Sequence, residues 1–311
     1  MKHIAYIFFL SLWPFFLCAQ QLPDRSIFAE TNFLWNPAMT GAFPFWELST
    51  SYRQQWLGFD NAPRTAAVAI QYPLPESNSA LGGYFMYDQI NPLVVNHFTF
   101  QYAYKLRFGD RKRRQLSLGI AANVQHFLLD ARDVVVNHAD DPLLPVGEYN
   151  TVGPNASGGI FYTSDARQSD NKGAWYAGAA IQQAVPWNVV FDDNDSPANL
   201  RHTWHGNAIF GGRFAKGGVI LEPALWVHYA QPGIVNGAFH LRAESRDALW
   251  GGLSYSSNQT LGIQAGVVVK KGFKEFSHLR IGVAGTFNIG TFGQFRGPGY
   301  EFLMAYRMAQ D

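Results

Sequence analysis

Between residues 98 and 108 the chain alternates without a break. Phe98, Phe100, Tyr102, Tyr104, Leu106 and Phe108 hold the even positions, and Thr99, Gln101, Ala103, Lys105 and Arg107 lie between them. A helix would scatter both sets around its circumference, whereas a strand places them on opposite faces. Residues 115–125 repeat the pattern, with Leu116, Leu118, Ile120, Ala122 and Val124 set against Gln115, Ser117, Gly119, Ala121, Asn123 and Gln125. The polar run Gly109-Asp110-Arg111-Lys112-Arg113 separates the two, so they read as a hairpin.

Carried along the whole chain, the same reading predicts about fourteen strands. They fall near 46–56, 65–73, 80–88, 96–108, 114–127, 155–163, 173–184, 202–214, 217–229, 235–244, 248–256, 260–270, 277–288 and 298–308. Many have the roughly 9–11 residues that a tilted strand needs to cross a bilayer, against about 5–6 in soluble sandwiches. An even number closes an antiparallel up-and-down barrel with both termini on one side. The links 128–154 and 185–201 are long and rich in Asp, Asn and Pro, while 109–113, 215–216, 245–247 and 271–276 are short. Outer-membrane barrels pair short periplasmic turns with longer outer loops, which orients the molecule. The expected fold is therefore all-β, a transmembrane antiparallel up-and-down barrel over residues 46–308.

Composition agrees. The chain is 47% hydrophobic, yet only 15% of it is charged, against about 25% in a soluble domain. Mean hydropathy is −0.11, and no apolar run outside the N-terminus nears the roughly 18 residues of a helical span. With 24 Lys and Arg against 23 Asp and Glu, nothing points to nucleic acid. Within the strands Glu47, Arg53, Lys105, Arg107, Glu222, Arg242, Arg280, Glu301 and Arg307 all lie opposite the apolar face. A charge facing lipid at mid-bilayer costs about 2–4 kcal/mol, so this segregation fits an apolar face against acyl chains and a polar lumen. Mixed signs there favour internal pairing over ion selection.

Residues 1–20 read as a signal peptide, with Lys2 and His3 before the apolar stretch Ile4 to Leu17 and a cut near Ala19 or Gln20. The stretch is short for a membrane anchor and carries Pro14. Leu17 before Cys18 is not the small residue that lipidation prefers. A chain cut there keeps no cysteine, which removes disulfides and thiolate chemistry. Residues 21–45 are expected to form a periplasmic N-terminal segment ahead of the barrel.

Few residues suggest chemistry. His202 and His205 sit three apart in the expected strand 202–214, which puts them on opposite faces and argues against a shared metal. Asp192-Asp193-Asn194-Asp195 is oxygen-rich and could hold Ca²⁺ in an outer loop, but it lacks the spaced ligands and the distal Glu of an EF-hand. No nucleophile elbow, zinc-protease helix or phosphate loop is present. His97 and His126 have no evident serine partner for a barrel lipase. No catalytic, cofactor or metal residue is assigned, and the protein is expected not to be an enzyme.

The N-terminal part carries a more specific pattern. Asn36-Pro37-Ala38-Met39-Thr40-Gly41 is followed by Tyr52-Arg53-Gln54-Gln55-Trp56-Leu57-Gly58-Phe59, then Ala62-Pro63-Arg64-Thr65 and Gly82-Gly83-Tyr84. This order resembles the PorP/SprF family of Bacteroidetes outer-membrane proteins, linked to type IX secretion and gliding motility. The residues carried over as a family signature are Asn36, Pro37, Gly41, Arg53, Gln55, Trp56, Pro63 and Thr65. In physical terms Asn36-Pro37 favours a turn before the first strand, Gly41 permits a close approach, Arg53 faces the lumen, and Tyr52 and Trp56 face outward at the membrane interface. The resemblance implies an accessory barrel that meets the periplasmic secretion ring or peptidoglycan-linked components and holds or helps export a large secreted adhesin. The alternative on the same architecture is a porin-like channel or transporter.

Overall fold

The structure is a computed structural model that describes residues 30–74, 76–130, 132, 147–166, 173–191, 200–230, 233–245, 248–270, 277–290 and 297–309. The expected leader, Cys18 and the Asp192–Asp195 loop lie outside the described residues. The strands are β1 (Phe45–Gln54), β2 (Arg64–Pro73), β3 (Ser79–Ile90), β4 (Leu93–Phe108), β5 (Arg114–Asp130), β6 (Glu148–Thr163), β7 (Ala174–Gln182) and β8 (Trp187–Val189). They continue as β9 (Leu200–His202), β10 (His205–Lys216), β11 (Val219–Ala230), β12 (Ile234–Ser245), β13 (Leu249–Ser256), β14 (Thr260–Val269), β15 (Ser277–Asn288) and β16 (Gly299–Ala309).

All except β8 and β9 form one closed barrel in sequence order, each strand antiparallel to the next. Closure is made by β1 and β16, from Phe45 opposite Ala309 to Gln54 opposite Tyr300. The barrel thus has the expected fourteen strands. The link after β7 is more than a loop, because β8 and β9 pair within it from Trp187 opposite His202 to Val189 opposite Leu200. His202 therefore lies in that hairpin rather than in the barrel wall, where the wall strand begins only at His205.

Strand parity sorts the side chains as the alternation requires. Outward positions form a continuous apolar belt, Ile120 being 65% exposed and Phe100 59%. A soluble monomer rarely exposes so much apolar surface. Aromatic side chains ring the belt at both edges. At the end bearing the short turns Tyr162 and Trp175 lie 4.6 Å apart and Trp46 and Tyr306 5.3 Å. At the opposite end Trp204 and Tyr229 lie 4.9 Å apart and Tyr52 and Tyr300 6.1 Å. Inward, Glu47, Arg53, Lys105, Arg242, Arg280 and Glu301 are buried, as the parity of charges demands. Arg107 shares their parity but sits at the exposed inner rim, where its Nε donates to Gln115 at 3.3 Å.

The N-terminal segment departs from expectation. Its described part does not stand clear of the barrel as a periplasmic arm; residues 30–42 are almost all buried inside the lumen. Two short 3-10 turns, Asn32–Leu34 and Pro37–Met39, shape this plug. Phe33, Leu34, Ala38 and Met39 pack with Phe161, Tyr176, Ile209 and Trp226 of the wall in one apolar cluster.

Candidate functional site: the plugged lumen

The tip of the plug is built around Asn36. Its side chain caps the second turn by accepting from the Ala38 amide at 2.9 Å, and Pro37 presets the first helical position. The same side chain donates outward to the Ile160 carbonyl of β6 at 3.1 Å and the Ala179 carbonyl of β7 at 3.4 Å. Such proximity needs a wall without side chains. A Cβ on Gly159 would lie 2.1 Å from Asn36 Oδ1, and one on Gly119 2.2 Å from the Ala38 nitrogen. These glycines of β5 and β6 carve the groove in which the turn sits.

Luminal glutamines bind the rest of the plug backbone. Gln101 Nε2 donates to the Phe33 carbonyl at 2.9 Å while its Oε1 accepts from the Thr40 hydroxyl at 2.8 Å. Gln182 donates to the Leu34 carbonyl at 3.0 Å, and Gln115 to the Ala42 carbonyl at 3.1 Å. Gln71 accepts from the Gly41 amide at 2.8 Å. Gly41 itself is left-handed (φ 55°), and a Cβ there would meet the Ala80 side chain at 2.5 Å. Buried backbone groups must find partners, and four amide side chains at inward positions supply them.

Behind Gln182 a hydrogen-bonded chain runs into the wall. Asn207 Nδ2 donates to Gln182 Oε1 at 2.9 Å, His228 Nδ1 meets Asn207 Oδ1 at 2.6 Å, and His205 Nδ1 meets His228 Nε2 at 3.1 Å. One choice of tautomers satisfies every link, each group donating toward the plug. Histidine thus serves to brace the plug tip. Among the described residues no cluster of three or more His, Cys, Asp or Glu is arranged for a metal.

Glu30 anchors the entry of the plug. Its carboxylate accepts from Arg280 Nε at 3.0 Å and Nη2 at 2.9 Å, from Arg307 Nη2 at 2.9 Å, and from Arg242 Nη1. Glu244 accepts from Arg280 at 2.9 and 3.0 Å and from Arg242, while Glu47 accepts from Arg307. The Trp250 ring lies under both Arg242 and Arg280, 5.4 and 6.0 Å from their guanidinium carbons. Burial alone would raise the Glu30 carboxyl, but the charges of Arg242, Arg280 and Arg307 outweigh it and hold it well below the usual carboxylate range. Within this cluster the wall contributes three arginines and two glutamates, so Glu30 of the plug supplies the missing negative charge. Next to it a cavity of about 230 Å³ remains between plug and wall, lined by Phe33, Phe43, Phe161, Ile220, Glu222 and Arg213 among others.

At the far mouth an apolar cap lies against one side of the wall. Phe127 and Leu129 of β5 point inward there and pack with Val189 and Phe191 of the β8–β9 hairpin. Trp187 stacks edge-on against Phe127 at 5.7 Å and covers Gly153, where a Cβ would lie 2.1 Å from its ring.

The signature residues divide between the plug and the outer rim. Asn36, Pro37 and Gly41 belong to the plug. Arg53 is buried in the lumen with Glu301 directly opposite in the β1–β16 register. Gln55 and Trp56 follow the end of β1; Gln55 N donates to the Pro63 carbonyl at 2.9 Å, and Thr65 Oγ1 donates to Asp88 at 2.6 Å. Trp56 is not an outward strand residue as parity suggests, because the strand ends at Gln54 and Trp56 takes a left-handed turn (φ 53°). It lines a small cleft at the mouth with Arg53, Gln55 and Asn258. Sequence reasoning missed Glu30 in the plug, Glu244 in the wall cluster and the luminal glutamines that bind the plug, although inward parity marks Gln71, Gln101 and Gln115.

Fold and site together define an outer-membrane β-barrel closed from within by its own N-terminal segment. The chain belongs to the PorP/SprF family, type IX secretion system membrane proteins, whose family model matches residues 17–306. A comparison with curated proteins finds no significant match. Among solved structures the chain is similar in fold to the CymD monoaromatic hydrocarbon channel, at 12% identity over 92% of this chain and 94% of that one, with a TM-score of 0.54. A toluene transporter of Pseudomonas putida, TodX, matches at 7% identity over 89% and 93% of the two chains, TM-score 0.51. A FadL homologue of Pseudomonas aeruginosa matches at 9% identity over 88% and 92%, TM-score 0.50. At such identities the likeness concerns the barrel alone.

Proposed function

We propose that this protein is a non-enzymatic accessory of the type IX secretion system that works as a platform in the outer membrane. Its outer loops hold or help export a secreted surface protein of the adhesin kind, and its inner end meets the periplasmic ring or peptidoglycan-linked components. The observation that supports this reading is the lumen filled by residues 30–42. A barrel whose bore is occupied by a charge-matched plug offers its rims, not its bore, as working surfaces. Deleting the gene in the native cell tests it. The expected result is loss of one or more type IX cargo proteins from the surface fraction with the barrel-free membrane otherwise intact. An unchanged secretome and surface proteome would overturn it.

A porin-like reading requires the plug to leave. It predicts stepwise conductance from the purified full-length protein in planar bilayers, and the intact barrel is expected to be silent.

A further inference from the structure

The outward face of β1, β2 and β3 carries a polar row at one edge of the apolar belt. Arg64 opens β2, opposite Gln54 of β1 and Gln89 of β3. It has the parity of Val68 and Ile70, both 51% exposed, so it faces out of the barrel and its two register partners face out beside it. Side chains directly opposite one another start about 4.5–5.5 Å apart, which makes the three one continuous row. Tyr52, Tyr87 and Tyr300 flank it, each hydroxyl bonded to one of the two glutamines. Outward tyrosines set the depth, with the ring against acyl chains and the hydroxyl among headgroups. The row lies at the end carrying the long loops, which is the outer one by the rule of short periplasmic turns.

Donors outnumber acceptors in this row. Gln89 Oε1 accepts from Arg64 Nε at 2.5 Å and from the Tyr87 hydroxyl at 2.8 Å, while its Nε2 donates to Asn91 Oδ1 at 2.9 Å. Gln54 Oε1 accepts from the Tyr300 hydroxyl at 3.0 Å and the Tyr52 hydroxyl at 3.4 Å. An amide oxygen has two lone pairs, and on both glutamines the two are taken. Among the described residues no protein acceptor meets either Nη of Arg64 or Nε2 of Gln54. No carboxylate pairs with Arg64; Asp60 in the adjoining loop is exposed and makes no ion pair with it. Arg132, an exposed arginine of the same end, is by contrast held by Asp130 at 2.6 Å and Glu148 at 3.1 Å. Arg64 is thus fixed through Nε and keeps an open guanidinium fork, the geometry that matches a phosphate.

We propose that the Gln54–Arg64–Gln89 row binds the phosphate of an outer-leaflet lipid whose acyl chains lie along the belt beneath it. A phosphate brings negative charge and several acceptor oxygens, which is what the surplus donors lack. Its source is a lipid because of where the row stands. It faces out at headgroup depth, and the same strands continue toward mid-bilayer through exposed Leu48, Val68, Ile70 and Phe85, which offer the chains an apolar surface. A free phosphate ion would use the donors and leave that surface unused.

Native mass spectrometry of the full-length protein in detergent tests this, with monophosphoryl lipid A as the probe and its dephosphorylated form as the comparison. The wild type is expected to prefer the phosphorylated lipid by about tenfold or more. Arg64→Gln should lose about that factor and Gln54→Ala a smaller one, while Arg132→Gln binds as wild type. Heat-modifiability on gels checks that each variant still forms the barrel. Equal binding of both lipids by the wild type, or undiminished binding by a folded Arg64→Gln, overturns the proposal. A loss of the same size in Arg132→Gln also overturns it, because diffuse charge would then be the cause. Displacement of the lipid by millimolar inorganic phosphate would make the row an ion site and overturn the lipid assignment.

Discussion

The two ends of the lumen are packed by different physics. At the inner mouth, closure depends on named partners: one carboxylate among three arginines, and four amide side chains on the backbone of a short peptide. At the outer mouth, Phe127, Leu129, Val189 and Phe191 simply cover one another. Directional, charge-matched closure is specific and fails sharply when one member is lost. Apolar closure is tolerant and fails in proportion to the area removed. The inner mouth is therefore the place where single substitutions should have large effects, and the outer mouth the place where they should be graded.

The largest effect is expected for Glu30→Ala. It strands an arginine-rich cluster without its matching charge, a loss of about 3–5 kcal/mol when a buried pair is broken from one side. Single-channel recording should show the silent barrel become conductive, and a thermal melt should fall. Next comes Gly159→Val, whose side chain occupies the space of the Asn36 amide. It should displace the plug tip while leaving the strands paired, which limited proteolysis near residue 36 would detect against an unchanged strand content by circular dichroism. Gln101→Ala removes two bonds to the plug at once and is expected to cost about 1–3 kcal/mol, the range for hydrogen bonds lost to buried groups. Val189→Ala at the outer cap should be mildest, about 1 kcal/mol, changing access from outside without opening the bore.

Acidification separates the two mouths in another way. Because the folded Glu30 carboxyl lies below its unfolded value, its contribution is present above the ordinary carboxylate range and is lost only as pH falls through the depressed value. Lowering the pH from neutral to about 4.5, near the ordinary glutamate value, should therefore leave the plug in place. Conductance appearing already at that pH would show that the arginines do not govern the inner seal.

The strands were legible because a membrane barrel writes its fold in parity. All fourteen wall strands appear where alternation puts them, with ends displaced by three residues or fewer except at β6, which begins at Glu148, seven residues inside the expected loop 128–154; the inward set of charges follows from the same rule. The plug was not legible. Residues 30–44 have neither period, and nothing in a peptide without periodicity distinguishes a segment inside the lumen from one beside it. Glu30 is a lone charge in that stretch, and its partners stand 212 to 277 residues away, brought together only by barrel closure. The β8–β9 hairpin was hidden for a related reason, since three-residue strands are too short for alternation to register. The Asn36-Pro37 turn and Gly41 stand out in the sequence as a motif, and their local geometry is as expected. What they close upon depends on Gly119, Gly159 and Gln71, far along the chain.

Residues 30–42 stop the bore, and Glu30 holds them there. Single-channel recording of the purified full-length barrel beside its Glu30→Ala variant tests it most directly. The expected traces are a silent wild type and a variant with discrete openings. Equal stepwise conductance from both proteins would contradict the account.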